Sequence, residues 1–385
     1  MLKVLSVFGT RPEAIKMAPI VRVLQQHSSK IVQRVCVTAQ HREMIDQALA
    51  VLQIQPDIDL NLMRAGQTLP ELTARVLEQM TATLRQEKPD IVLVQGDTTT
   101  VMATALAAFY ERIAVGHVEA GLRTADRYNP FPEEVNRRVA GVLATYHFAP
   151  TQTAVKALLA ENTPPDTIFC TGNTVVDALL WMAAQPLTPE TTKLIGDLGL
   201  LDEVIPPSNA LASVKPKKWI LVTAHRRENF GSPFEEVCHG LLELAQRNPE
   251  LEILYPVHLN PQVQEPVYRI LGQHPRIHLI EPLSYEPFVH IMQRVDLVLT
   301  DSGGIQEEAP IFGKPVLVLR NETERVEAVA AGTVKLIGPD RAKIVKETEL
   351  LLYDKLAYQA MATAVSPYGD GHAAERIAEV LLKLA

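Results

Sequence analysis

Short runs of Val, Ile and Leu recur along this chain, and each is followed by a stretch of amphipathic helical period. KVLSVFG leads into a helix from Pro12 to Gln26, IVQRVCVTA into one near Glu43 to Leu52, and DIVLVQG into one from about Thr99 to Arg112; IAVGHV comes next. Apolar runs without polar alternation are buried on both faces, as in a parallel sheet covered by helices on either side. The order then repeats. KWILVTAHRRENFG matches KVLSVFGTRPEAIK, LEILYPVHLNP matches VQRVCVTAQHRE, and VDLVLTDSGGIQEEAPIFGKPVLVL matches PDIVLVQGDTTTVMATALAAFYERIAVGHV. A chain of 385 residues is also too long for one ordinary core. The expectation is an α/β fold: two Rossmann-like, doubly wound domains facing across a cleft, with TGNTVVDALLW as the crossing point. In such sheets ligands sit beyond the carboxyl ends of the strands.

Composition narrows the partners. With 47% hydrophobic and 21% charged residues the chain is ordinary globular protein. The net charge of −8 argues against general nucleic-acid affinity. No apolar run approaches the ~18 residues of a membrane span, and the opening residues read as a strand and not as a secretion signal. Cys36, Cys170 and Cys238 are sparse and have no CxxC spacing, which points to reduced thiols and a cytoplasmic address. No HExxH or comparable ligand set supports a metal. Neither GxGxxG nor GxxxxGK[ST] occurs, so no dinucleotide cofactor is expected.

The charged motifs all fall where strands end. DSGGIQEEAP follows the strand VDLVLT; Ser302 can cap a helix, Gly303 and Gly304 allow close approach of a ligand, and Glu308 lies one turn on, placed for sugar hydroxyls. GTRPE and AHRRE each place an arginine just past a strand, where its fork suits phosphate oxygens. Asp97 of GDTTT is a helix cap or a site carboxylate. His225 and His258 occupy strand ends. The segment HVEAGLRTADRYNPFPEEVNRR crowds acids and arginines around two prolines. Its second half is explained without chemistry by a helix starting near Pro132, with Glu133–Arg137 and Glu134–Arg138 as i,i+4 pairs. Glu119 and Arg123 are not so explained. Carboxylates arriving from separate loops are how acid and base roles are divided in an active site.

FGTRPE, TAQHREM, QGDTTT, GHVEAGLRT, PEEVNRR, TGNTVVDAL, HRREN, YPVHLNP and DSGGIQEEAP, in this order and spacing, resemble the non-hydrolysing bacterial UDP-N-acetylglucosamine 2-epimerases from Val4 to about Gly371. That resemblance implies a GT-B type fold, with residues 1–172 as the sugar-side domain, residues 173–366 as the UDP-binding domain, and a final helix within 367–385 returning to the first. It implies a cytoplasmic homodimer without a cofactor that interconverts UDP-N-acetylglucosamine and UDP-N-acetylmannosamine for surface polysaccharide. The family's catalytic groups match Asp97, Glu119 and Glu133, with His225 nearby. Its ligand contacts match Arg11, Ser302, Gly303, Gly304 and Glu308, with Lys16, His258 and Arg325 as further members of the site. Two positions depart from the family pattern. Val326 replaces a proline, and Gly66 aligns with an arginine that helps some members bind a second UDP-N-acetylglucosamine as activator, leaving Gln40 and the Glu133 region for that role.

The implied chemistry fits these groups. The C2 proton of the sugar is not beside a carbonyl and is barely acidic. Expelling UDP from C1 while C2 loses its proton gives a glycal with a planar C2, to which UDP re-adds as a proton arrives on the other face. This needs acid/base groups on both faces and a grip on free UDP. Arg123, Arg137 and Arg138 are expected to hold the acids. A glycosyltransferase of the same fold and a non-catalytic UDP-sugar sensor are the alternative readings.

Overall fold

The computed structural model describes residues 1–39, 42–64, 66–124, 126–200 and 217–385. The chain forms two compact units, Met1–Trp181 with Tyr368–Ala385, and Met182–Pro367. Among the described residues the first carries β1 (Leu2–Phe8), β2 (Ile31–Val37), β3 (Ile58–Asp59), β4 (Ile91–Gln95), β5 (Ala114–Val118), β6 (Tyr146–Ala149) and β7 (Ile168–Cys170). The second carries β8 (Lys218–Thr223), β9 (Leu251–Pro256), β10 (Ile277–Ile280), β11 (Leu297–Thr300), β12 (Val316–Val318) and β13 (Val334–Leu336).

Strand order is β3-β2-β1-β4-β5-β6-β7 in the first sheet and β10-β9-β8-β11-β12-β13 in the second. Every pairing is parallel. The apolar runs are buried on both faces as their composition requires: all five residues of β4 are buried, as are Ile220, Leu221 and Val222 of β8. The internal repeat is real in topology. β8 lies between β9 and β11 as β1 lies between β2 and β4. Each sheet reverses its winding at that central pair, so the switch point falls beside the ends of β1 and β4 in one unit and of β8 and β11 in the other.

The first unit is closed by the chain's return. Helix Ala373–Leu382 buries Ala374, Ile377, Ala378 and Leu381 and packs on helix Arg11–Gln26. Helix Thr174–Ala183 also falls in this unit as far as Trp181. Asp177 Oδ1 accepts a hydrogen bond from Ala374 N at 2.8 Å, and the Arg22 guanidinium lies 3.4 Å over the Trp181 ring. Among the described residues no helix is long and apolar enough to cross a membrane.

Leu381→Ala should destabilise the first unit by about 2–5 kcal/mol, the range for a truncated core leucine. Leu384→Ala, at a position 42% exposed, should change little. Urea unfolding followed by far-UV circular dichroism measures both.

Candidate active site

In the first unit the polar groups gather beyond β1, β4 and β5. Glu119 follows the last residue of β5 with φ +65°, a conformation that costs a residue with a Cβ about 1 kcal/mol or more and that persists only where its surroundings enforce it. Lys16 Nζ, from helix Arg11–Gln26, donates to Glu119 Oε1 at 2.6 Å and Oε2 at 2.8 Å. Gln95 Nε2, at the end of β4, donates to Oε2, and Asn173 Nδ2 donates to Oε1 at 3.0 Å. The carboxylate is thus almost buried yet fully engaged by donors, as a charge withdrawn from water must be.

Asp97 is not the helix cap. Thr98 caps helix Thr99–Tyr110 through Oγ1, which accepts from Val101 N, and Asp97 pairs with Arg137 instead. Asn136 Nδ2 also donates to the Asp97 carbonyl at 3.0 Å. The expected Glu133–Arg137 pair is therefore absent: Arg137 reaches Asp97 and, at 3.3 Å, Glu134. Glu134 is wholly buried and accepts from Thr124 N and Arg138 Nε at 3.0 and 2.7 Å, so it ties the preceding loop to the helix. Glu133, by contrast, has a buried Oε2 that no described residue satisfies. Its i,i+4 spacing puts it on the helix face of Arg137, the face that meets Asp97. Arg123 does not hold Glu119; its guanidinium binds Glu161 at 2.8 and 2.7 Å. Arg11 is exposed at the start of its helix, with no carboxylate partner among the described residues. Gln40 lies outside the described residues.

In the second unit the equivalent groups surround the start of helix Gly303–Glu308. Buried Asp301 accepts at Oδ2 from His225 N and Arg226 N, at 2.8 and 2.7 Å, which folds the turn after β8 onto the end of β11. The His225 ring stacks on His258 with centroids 5.1 Å apart and its Nδ1 is 3.9 Å from Asp301 Oδ1. Burial pulls its pKa down, opposed by the Asp301 charge. Ser302 occupies the cap position but its side chain makes no cap bond. A Cβ on Gly303 would lie 3.5 Å from the Arg325 guanidinium carbon and 3.8 Å from Arg226 Nη2, so two guanidinium groups border this glycine. A Cβ on Gly304 would lie 3.8 Å from Glu308 Oε1. Backbone N–H groups, two arginines and a nearby carboxylate can hold a phosphorylated, hydroxyl-bearing ligand. Among the described residues no group of three or more His, Cys, Asp or Glu is arranged to hold a metal.

The model for the family described as UDP-N-acetylglucosamine 2-epimerase matches residues 23–382. The chain belongs to that family. UDP-N-acetylglucosamine 2-epimerase of Escherichia coli K12 is 56% identical over 380 residues, which span 99% of this chain and 98% of that protein. The crystal structure of UDP-GlcNAc 2-epimerase from Neisseria meningitidis bound to UDP-GlcNAc matches with a TM-score of 0.84 at 48% identity, covering 99% of this chain and all of that one. UDP-GlcNAc 2-epimerase from Methanocaldococcus jannaschii matches at 0.83 and 33% identity, with 99% and 100% coverage. The paired parallel sheets are the GT-B fold of these epimerases.

Against the epimerase pattern, Val326 is the first residue of helix Val326–Ala331, a position proline also suits, so Arg325 keeps its place at the cap. Gly66 has φ +70° and open space around it. Gln95, Asn173 and Asp301 were not assigned a role by sequence reasoning. All three lie in motifs it singled out, QGDTTT, TGNTVVDAL and DSGGIQEEAP; an uncharged amide gives no signal of chemistry until its partner is known.

His117 and His147 are register partners on β5 and β6, and burial drives each pKa down from the ordinary 6.5 to about 4. His117 Nε2 is 2.7 Å from the Gly96 carbonyl and so steadies the turn before Asp97. Both rings are neutral in the fold. Their contribution to stability is therefore complete above pH 6.5 and is lost as pH falls towards about 4, because the unfolded chain takes up protons first. The urea midpoint should drop between pH 7 and pH 5, and His147→Gln should show a smaller drop.

Proposed function

We propose that the protein interconverts UDP-N-acetylglucosamine and UDP-N-acetylmannosamine by elimination and re-addition of UDP. The family match across nearly the whole chain carries this reading. The first unit is the sugar-side domain and the second binds UDP. One carboxylate takes the C2 proton as the C1–O bond to UDP breaks, giving UDP and a glycal with a planar C2. UDP then re-adds at C1 while a second group returns a proton to the opposite face. Asp97, Glu119 and Glu133 serve these transfers, with Lys16 and Arg137 fixing the first two and stabilising charge as it develops. Arg11, Ser302, Gly303, Gly304, Glu308 and Arg325 retain UDP while the glycosidic bond is open, and His225, stacked on His258, stands beside them as an acid/base group.

The enzyme works in the cytoplasm as a homodimer and supplies surface-polysaccharide precursors. Phe109 and Tyr110, 56% and 63% exposed, and Val142, 87% exposed, lie on two helices that pack together and offer an apolar surface to a second copy.

Proton NMR of UDP-N-acetylglucosamine with the protein in D2O should show the epimer appearing with solvent deuterium at C2. Absence of conversion, or transfer of the sugar to an acceptor, would overturn the reading. Asp97→Asn, Glu119→Gln and Glu133→Gln should each lower kcat by about 10²-fold or more with the fold intact, as for lost acid/base groups.

UDP affinity reports on the second unit separately. Glu308→Ala should weaken UDP binding by about 1–3 kcal/mol in titration calorimetry, the usual range for a hydrogen bond to a charged group.

A further inference from the structure

The returning segment of the chain touches the loop that carries Asn173, and Asn173 touches Glu119. Asn173 N donates to the Tyr368 carbonyl at 2.7 Å. Its Oδ1 accepts from Val175 N at 3.2 Å, at the start of helix Thr174–Ala183. That backbone donor fixes which way the amide points, and Nδ2 is left to donate to Glu119 Oε1 at 3.0 Å. The contact between the two loops is close: a Cβ on Gly369 would stand 3.3 Å from Gly172 Cα and 3.6 Å from Asn173 N. Gly369 has φ +120°, open to glycine but not to other residues. Arg376 fastens the same place, donating to the Thr171 carbonyl at 3.0 Å and to both oxygens of Asp370.

We propose that Asn173 is a positioning residue for Glu119 and that the Tyr368–Gly369 return segment sets its pose. This rests on the catalytic role given to Glu119 above. Lys16 supplies charge to that carboxylate, but an ammonium on a flexible stem does not define direction. The Asn173 amide is neutral and locked at both ends, so it orients the oxygen without neutralising it. The Gln95 amide holds Oε2 in the same way, so Asn173 fixes the remaining oxygen and with it the rotamer.

The test is steady-state kinetics on purified full-length variants whose folding is checked by circular dichroism. Asn173→Ser keeps an oxygen able to accept from Val175 N and removes the donor to Glu119. It should lower kcat by about 10- to 100-fold, as for a lost hydrogen bond to a charged group, with KM within twofold. Gly369→Ala, which touches neither substrate groups nor Glu119, should change kcat in the same direction and leave KM alone. Glu119→Gln is measured alongside. A large loss in Glu119→Gln with near-normal kcat in folded Asn173→Ser overturns the positioning role alone. Near-normal kcat in Glu119→Gln overturns the catalytic reading on which it rests. Should Asn173→Ser not fold, a Gly369→Ala variant with normal kcat overturns the proposal by itself.

Discussion

The ion pair between Lys16 and Glu119 is the interaction around which the first unit's site is arranged. A carboxylate with a side chain only 6% exposed is tolerable only if nearly every lone pair has a donor. The donors come from helix Arg11–Gln26, from the end of β4 and from the loop before helix Thr174–Ala183, so three segments distant in sequence must be in place before Glu119 can be buried. The residue that carries this carboxylate also has a left-handed backbone, with φ +65°. What stabilises the fold here also sets the acid in a defined direction, and that is the pre-organisation an acid/base group requires.

The two units solve one problem with different acids. Each has a turn after its first strand whose backbone N–H groups need an acceptor. In the second unit Asp301, at the end of β11, accepts from His225 N and Arg226 N. In the first, Glu13 reaches back from the helix and accepts from Gly9 N and Thr10 N at 2.9 and 2.7 Å, with Thr98 Oγ1 donating to its other oxygen at 2.6 Å. Glu13 is buried, and desolvation raises its pKa against these bonds. With the turn satisfied from the helix, Asp97 is released to face Arg137. The internal repeat therefore keeps the scaffold while the acid at the strand tip changes from a clamp on the neighbouring turn to a partner of Arg137.

Adjacent residues diverge in the same way within the crowded segment. Glu133 and Glu134 begin one helix, about 100° apart around its axis. Glu134 points into the loop and is consumed by Thr124 N, Arg137 and Arg138; Glu133 keeps an unsatisfied buried oxygen. Arg123, which the sequence places temptingly close to Glu119, turns to Glu161 on a following helix end.

Much of this was legible before any coordinates. Unalternating Val and Ile runs have no stable place except a doubly covered parallel sheet, and right-handed crossovers then leave their ends, with GTRPE, GDTTT and DSGG, at the switch points. Asp97 and Glu119 were visible as acids just past those ends for the same reason, whereas Glu133 was named by the resemblance, its helical spacing being explained without chemistry. Pairing was not visible, because a guanidinium selects its carboxylate by distance and angle across strands, and chain order carries neither. The sequence offered Glu133 to Arg137 by helical spacing; packing gave Arg137 to Asp97. It offered Asn173 as one polar residue in a crossing; only the return of Tyr368 and Gly369 against it made that amide a ligand of Glu119.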